Sequence, residues 1–303
     1  MSTESHEPDY QPVAAPTGPR RYLGSSSVEI IRTPPRRRPP GHVVFDFDGT
    51  LSLIREGWPE VMVPMMVEVL SATGTRESSA DLYKIAHTFV MELNGKQTIY
   101  QMMRLAEEVS ARGGRPEDPQ VYKQRYHDLL MERIESRHQR LRDGKARPQE
   151  MLVPYSLELL AGLQERGAQL YLASGTDLDY VRSEASLLGL DRFFGQHIYG
   201  ALADYKAFSK AMVIQKILSD HQIDGELLLG FGDGYVEIQN IKSAGGTAVA
   251  VASDEAGRSG KPDEWKRDRL VGAGADIVVP DYHDHAALLA WLWNEDIKVK
   301  DKR

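Results

Sequence analysis

The second half of the chain alternates short apolar segments with longer amphipathic ones, and this alternation limits the possible fold more than any other sequence feature. The apolar segments are nearly continuous, as expected of strands buried on both faces of a parallel sheet. Strands are predicted at 42–45, 169–173, 197–199, 227–231, 247–252 and 276–279. The helical segments between them end in glycine, for example at Gly167 and Gly189, which is a common residue at helix C-termini. The pattern predicts an α/β fold with a doubly wound, Rossmann-like parallel sheet.

A long helical segment interrupts this alternation after the first strand. The sequence there is typical of several helices, with breaks at Gly74, Gly95 and Gly113–Gly114. We therefore predict a helical cap at 58–147, inserted into an α/β core that consists of 41–57 and 148–303.

The first 40 residues have a different composition from the rest of the chain. They are rich in Pro, Ser and Arg and end in a run of three arginines at 36–38. Such a composition predicts a disordered N-terminal tail over 1–40. A short strand near 28–31 that docks the tail on the core is the alternative.

Composition and charge exclude several classes of function. The net charge of −7 and the pI of about 5.8 give no reason to expect nucleic acid or an anionic membrane as a partner. The absence of cysteine excludes disulfides and thiolate zinc sites and favours a reducing, cytoplasmic location. No apolar stretch reaches the roughly 18 residues of a membrane helix, and the N-terminus lacks the apolar region of a secretory signal.

Two carboxylates follow the first predicted strand directly. Asp46 and Asp48 lie two residues apart on extended backbone, so both side chains should face the crevice at the carboxyl end of the sheet. Two carboxylates so close repel each other, which favours a bound cation or a shared proton. The alternative is an ordinary turn at Asp48-Gly49.

Three later segments place further polar residues at strand or helix ends. Ser174, in Leu-Ala-Ser-Gly-Thr, could hold phosphate oxygens together with backbone N–H groups, or it could simply cap a helix. Lys210 opens a helix after Ser209, where the helix dipole disfavours a cation unless an anion is near; Lys206 is the competing lysine, and a solvated lysine is the alternative. Asp233 ends the strand at 227–231 with carboxylate chemistry that magnesium prefers.

The order of these segments resembles the four motifs of the haloacid dehalogenase superfamily. The motifs are Asp-Phe-Asp-Gly-Thr at 46–50, Ala-Ser-Gly-Thr at 173–176, the helix-opening lysine, and Gly-Asp-Gly-Tyr-Val-Glu at 232–237. The resemblance covers roughly 41–290 and is closest to the capped phosphoglycolate phosphatase and β-phosphoglucomutase group. It implies a cap of the family's first type, because the predicted insertion lies between the first two motifs.

The resemblance also implies a role for each matching residue. Asp46 is the expected nucleophile and Asp48 the general acid/base, whereas Ser174, Gly175 and Lys210 are expected to bind phosphate. Asp46, Asp48 and Asp233 are the expected ligands of Mg²⁺. Glu237 stands where many members carry a second aspartate, so it is expected beside the metal, either in direct contact or through water.

The function implied by the resemblance is hydrolysis of a small phosphomonoester through an aspartyl-phosphate, with a sugar phosphate as the favoured metabolite. A phosphomutase shares every motif and stays open, as does a non-catalytic binding protein, although the latter should have lost its aspartates. Lys96 keeps an imine-forming phosphonate hydrolase open. Arg55, Glu56, Trp58 and Lys96 are the candidates for substrate specificity; an exposed ion pair and a plain loop lysine are the alternatives. The sequence does not determine the oligomeric state.

Overall fold

The computed structural model describes residues 12–33, 38–295 and 298–301. The chain forms two compact units. The larger unit contains the residues up to Ile54 and those from Arg147 onward, and the smaller unit is Arg55–Ala146. The smaller unit therefore begins and ends close to the boundaries 58 and 147 predicted for the cap.

The larger unit is built on one sheet, which has nine strands within the described residues. They are β1 (Arg21–Leu23), β2 (Glu29–Ile30), β3 (His42–Phe45), β4 (Gln169–Asp177), β5 (Ile198–Ala201), β6 (Leu228–Gly232), β7 (Thr247–Val251), β8 (Ile277–Val279) and β9 (Val299–Asp301). Their order across the sheet is β5-β4-β3-β6-β7-β8-β2-β1-β9. The six strands from β5 to β8 in this order are parallel. This confirms the predicted doubly wound sheet, in which the order reverses direction at β3.

The smaller unit is helical. Its helices are α1 (Pro59–Ser71), α2 (Ser79–Glu92), α3 (Thr98–Ala111) and α4 (Pro119–Arg142). The side chains of Met62, Met65 and Met66 are buried within this unit, where flexible thioethers fill irregular space between helices.

Among the described residues of the larger unit, seven helices follow and connect its strands. They are α5 (Ser156–Glu165), α6 (Leu178–Leu187), α7 (Asp191–Phe194), α8 (Lys210–His221), α9 (Tyr235–Ser243), α10 (Glu264–Gly272) and α11 (His285–Leu292). One core layer packs α8, α9 and α10 on the sheet face that carries Val44 and Tyr171. Residues of alternating strand positions face the opposite layer, where the rings of Phe45 and Phe231 stack at 4.6 Å. No helix in the described part of the chain has the length and apolar character to cross a membrane.

The prediction of a disordered tail over 1–40 is wrong for the part of it that forms strands. Strand β2 pairs antiparallel with β8, and β1 pairs with β2 and with β9. Leu23, Val28 and Ile30 are buried, so the alternative of a docked strand near 28–31 is correct. Burial of these apolar side chains outweighs the disorder expected from the Pro and Arg content. For residues 1–11 and 34–37 the prediction lies outside the described residues.

Candidate active site

The candidate site lies where the strand order of the sheet reverses. Strand β3 lies between β4 and β6, so the carboxyl ends of these three parallel strands are adjacent. Asp46 follows β3, Asp233 follows β6, and Ser174 lies in β4. The backbone N–H of Asp46 donates to the carbonyl of Phe231 at 2.9 Å, which ties two of the strand ends together. Open α/β sheets bind ligands at this kind of position.

Lys210 contacts two buried carboxylates. Ser209 caps α8 by accepting a hydrogen bond from the N–H of Met212 at 3.1 Å, which fixes Lys210 as the first helical residue. The Nζ of Lys210 donates to Asp46 Oδ1 at 2.8 Å and to Glu237 Oε1. All three side chains are less than a tenth exposed. The competing residue Lys206 is exposed, so the structure brings Lys210 and not Lys206 to Asp46.

Burial controls the ionisation of Asp46. Its carboxylate and Lys210 lie against apolar side chains that include Val44, Ala173 and Ile214. Burial raises the pKa of Asp46 well above its usual range; the neighbouring Glu237 and Asp233 add to this, and Lys210 opposes it. A second cation beside Asp46 would therefore favour the ionised form.

A close approach of α9 to strand β6 places Glu237 at the site. A Cβ built on Gly232 would lie 2.6 Å from the Cβ of Glu237, so only glycine permits this approach. The Oε2 atom of Glu237 is buried and has no hydrogen-bond partner among the described residues. An acceptor in this state is suited to a ligand or a water that donates to it.

Asp48 accepts a hydrogen bond from Thr176. The hydroxyl of Thr176 donates to Asp48 Oδ2 at 2.9 Å, and the N–H of Thr176 donates to Ser174 Oγ at 3.0 Å. Strand β4 continues past its predicted end at 173 to Asp177, and its pairing with β5 shifts between 173 and 177. This irregularity presents Ser174, the half-buried Gly175 and Thr176 at the strand end. Helix α6 begins after Asp177, so neither Ser174 nor Thr176 is its N-cap.

Asp233 packs against the backbone of the first motif. Gly49 has a φ of +73°, and a Cβ built there would lie 2.2 Å from Asp233 Oδ2. Glycine is therefore required both for the left-handed conformation and for the approach of the carboxylate. The hydroxyl of Thr50 donates to Asp233 Oδ1 at 3.4 Å, and Ser253 donates to the carbonyl of Gly49 at 3.1 Å.

Sequence reasoning missed a second lysine at the site. The Nζ of Lys266 donates to Asp233 Oδ2 at 3.2 Å and to Glu255 Oε1. Lys266 lies in the first turn of α10, whose N-cap Asp263 accepts its backbone N–H at 2.9 Å. Burial alone would lower the pKa of Lys266, but the two carboxylates outweigh burial and raise it. The signal that selected Lys210, a lysine at a helix N-terminus, is also present here.

The proposed specificity residues lie in the smaller unit. Arg55 is buried, and Glu56 accepts a hydrogen bond from Arg137 at 2.8 Å. Trp58 is the N-cap residue of α1, and the Nζ of Lys96 lies 5.9 Å from the ring centroid of Tyr100. None of these contacts assigns a substrate role, so their part in specificity stays a prediction.

The chemistry of the donor atoms fits magnesium. Within 12–33, 38–295 and 298–301 no three His, Asp or Glu side chains are arranged as a ready metal cage, and the side chain of Asp48 is engaged by Thr176. Magnesium does not need such a cage, since it binds through one or two carboxylates and keeps several waters. The buried carboxylate of Asp46 and the carboxylate of Asp233, which is 11% exposed, supply hard oxygen ligands of this kind, with the orphaned Oε2 of Glu237 beside them.

Several solved structures share the fold. A predicted phosphoglycolate phosphatase from Haemophilus somnus 129PT is 16% identical, with a TM-score of 0.53, over 82% of this chain and 97% of its own. A β-phosphoglucomutase from Clostridium difficile is 12% identical, with a TM-score of 0.55, over 84% and 97%. A phosphonoacetaldehyde hydrolase-like protein from Oleispira antarctica is 14% identical, with a TM-score of 0.57, over 84% and 93%.

Comparison of the sequence with known proteins and family models identifies the family of the chain. No curated protein matches the chain. The family model of haloacid dehalogenase-like hydrolases matches residues 41–245, a span that includes all four motifs. Because this match covers more than half of the 303 residues, the chain belongs to the haloacid dehalogenase-like hydrolases.

Proposed function

We propose that this protein is a magnesium-dependent phosphatase that hydrolyses a small phosphomonoester through an aspartyl-phosphate on Asp46. The observation that carries the proposal is the contact between Lys210 and the buried Asp46 at the point where the strand order reverses. A carboxylate held by a lysine, with Asp48 at the same strand end and Asp233 at the neighbouring one, is suited to attack a phosphoryl group.

In the first step, the Asp46 carboxylate attacks phosphorus and an O–P bond forms as the ester P–O bond breaks. Asp48 gives its proton to the leaving oxygen, so the alcohol departs neutral. The hydrogen bond from Thr176 to Asp48 Oδ2 holds this carboxyl group in one orientation.

In the second step, water attacks the phosphorus of the aspartyl-phosphate. Asp48, now ionised, takes the proton from this water, and the Asp46 carboxylate leaves as inorganic phosphate forms. Asp48 thus acts first as an acid and then as a base. This double role explains why a carboxyl group, and not a second lysine, lies beside the nucleophile.

The phosphoryl oxygens are held by Lys210 and by the end of β4. Ser174 already accepts the N–H of Thr176, so its hydroxyl can donate its own proton to a phosphate oxygen. Magnesium, held by the carboxylates of Asp46 and Asp233 and by a backbone carbonyl at Asp48, would supply neutralisation of the phosphoryl charge.

The test is phosphate release from a panel of small phosphomonoesters, sugar phosphates first, with and without Mg²⁺. We expect metal-dependent turnover that is lost in Asp46→Asn. If folded protein that binds Mg²⁺ releases no phosphate from any ester, simple phosphatase action is wrong. Transfer between positions of a hexose phosphate, primed with a bisphosphate, would then test the mutase alternative.

The specificity prediction has a separate test on the same panel. Lys96→Ala and Glu56→Gln should change the ranking of substrates by KM while leaving the Mg²⁺ requirement intact. Equal kcat/KM changes for all esters would show that these residues do not select the substrate.

A further inference from the structure

Lys266 places a cation beside a carboxylate that the proposed function assigns to the metal. Its Nζ lies 3.2 Å from Asp233 Oδ2 and also contacts Glu255. The three side chains are between 11% and 18% exposed, so this is a mostly buried cluster rather than a solvated ion pair. An ammonium and a divalent cation that share one carboxylate repel each other.

We propose that Lys266 is a positioning residue that competes with the metal for Asp233, and that Glu255 retains the ammonium when the metal binds. The inference rests on the proposed function, because it takes Asp233 as a metal ligand. It assigns to Lys266 and Glu255 the setting of metal affinity rather than contact with the substrate.

The carboxylate of Asp233 has little freedom to avoid Lys266. Its Oδ2 lies against the backbone of Gly49, where a Cβ would stand only 2.2 Å away. Its Oδ1 receives a hydrogen bond from Thr50 at 3.4 Å, which is near the long limit for such a bond. Oδ1 is therefore the oxygen that can bind a metal ion more easily. Lys266 would then still lie close to Oδ2.

Two arginine–carboxylate pairs oppose displacement of helix α10 away from the site. Arg267 donates to both oxygens of the buried Glu29, at 2.8 and 2.6 Å. Arg20 donates to both oxygens of Glu264, at 3.0 and 2.6 Å. These paired contacts tie the first turn of α10 to the N-terminal segment, and bidentate arginine–carboxylate contacts have defined geometry. The response to a bound metal is therefore a side-chain movement of Lys266 toward Glu255.

Competition and simple structural support predict opposite results when Lys266 is replaced. If Lys266 competes, removal of its charge should tighten binding of the metal. If it only supports Asp233, the same change should weaken binding. Loss of the Glu255 charge should weaken binding in the competition account, because Asp233 is then the one carboxylate among the described residues that the ammonium contacts.

The experiment is calorimetric titration of Mg²⁺ into EDTA-treated, dialysed protein, which needs no turnover. We expect Lys266→Met to bind Mg²⁺ roughly tenfold more tightly than wild type, since one unit charge is removed within a few ångströms of the cation. Glu255→Gln should bind more weakly. Lys261→Met, at an exposed lysine just before α10, is the matched control and should leave the affinity unchanged. Circular dichroism of each variant checks folding, and Lys266→Gln repeats the test with a polar side chain.

The outcomes separate the inference from the proposed function. Equal or weaker Mg²⁺ binding in both folded Lys266 variants would overturn the competition. Asp233→Asn should abolish Mg²⁺ binding. If this variant still binds Mg²⁺, Asp233 is not a metal ligand and the inference is wrong. If wild type turns over substrate with Mg²⁺ but the Lys266 variants do not bind more tightly, only the inference is wrong. If wild type binds no Mg²⁺, both are wrong.

Discussion

Each end of helix α8 carries a cluster of polar side chains, and the two clusters satisfy their polar groups in different ways. At the N-terminus, Lys210 contacts the buried carboxylates of Asp46 and Glu237. At the C-terminus, the hydroxyl of Tyr171 lies 2.8 Å from His221 Nε2 and 3.0 Å from His42 Nδ1. The first cluster is ionic and the second can be satisfied by neutral hydrogen bonds.

The two clusters differ in how their charges are placed relative to the helix dipole. A helix dipole disfavours a cation at the N-terminus and favours one at the C-terminus, yet the buried ammonium is at the N-terminus. At the other end, burial and then the nearby His221 lower the pKa of His42, which favours a neutral ring. The helix dipole alone would not place a cation at the N-terminus, and this placement agrees with the phosphate-binding role proposed for Lys210.

The largest expected effect comes from breaking the ionic cluster. Lys210→Met should lower kcat by about 10²–10³, as expected when a group that stabilises transition-state charge is removed. It should also cost about 3–5 kcal/mol of unfolding free energy, because two buried carboxylates lose their cation. Phosphate release and urea unfolding measure the two effects. The exposed Lys206→Met is the matched control, and an equal loss of activity there would show that Lys210 has no special role.

The second prediction concerns the pH dependence of the ionic cluster without metal. The pKa of Asp46 is raised in the folded protein, so its contribution to stability is full below the ordinary carboxyl pKa and is lost as pH rises through the raised value. In EDTA, wild type should lose Tm over this range and Asp46→Asn should lose less. Parallel curves for the two proteins would contradict the burial argument.

The third prediction breaks the neutral cluster. Tyr171→Phe removes the hydroxyl shared by two imidazoles and should cost about 1–3 kcal/mol, the range for polar groups left without a partner. We expect kcat/KM to change by less than about twofold, since the lost hydroxyl contacts His42 and His221, at the opposite end of α8 from Lys210. Tyr199→Phe, a partly buried tyrosine packed against the same core layer, is the control. A large loss of activity in Tyr171→Phe would show that the neutral cluster, like the ionic one, is needed for catalysis.

The fourth prediction uses the pH response of the neutral cluster. Because the folded pKa of His42 is lowered, its contribution is present above the ordinary histidine pKa and is lost as pH falls toward the lowered value. Unfolding free energy should therefore fall between about pH 7 and pH 5, and it should fall less in His42→Gln. An unchanged slope in the variant would show that another group controls the acid response.

The smallest effect is expected in the middle of the helix. Lys216 and Asp220 form an ion pair at 2.7 Å on the exposed face of α8. Lys216→Met should change neither Tm nor activity measurably, because exposed pairs are screened by water. A clear drop in Tm would show that the exposed ion pair stabilises the protein as the buried clusters at the ends of α8 do.

The same contrast between buried and exposed charge explains how far sequence reasoning reaches. Lys210 could be predicted because Ser209 marks the helix start and motifs on either side supply anions. Lys266 has the same position in its helix, but it lies in a strongly charged stretch, 261–269, where a solvated lysine is the ordinary expectation. The carboxylate partners of Lys266 are Asp233 and Glu255, and only the fold brings these two residues close to it.

Strand positions show a similar limit. The buried strand β3 was predicted at its observed bounds because its apolar run ends sharply at Asp46. The extension of β4 to Asp177 depends on irregular pairing with β5, which periodicity does not encode. For β2, the Pro and Arg content of the surrounding tail favoured disorder over the alternative of a short strand, which pairs with β1 and β8 in the fold.

The most direct test of the central claim is to trap the aspartyl-phosphate during turnover. A substrate found on the phosphomonoester panel would be mixed with enzyme and Mg²⁺, quenched, and treated with borohydride, which reduces an acyl-phosphate to the alcohol. Peptide mass spectrometry should then find the residue at position 46 reduced in wild type, with no such product when substrate is omitted. Steady turnover with unmodified Asp46, or reduction at Asp48 or Asp233 instead, would contradict the account.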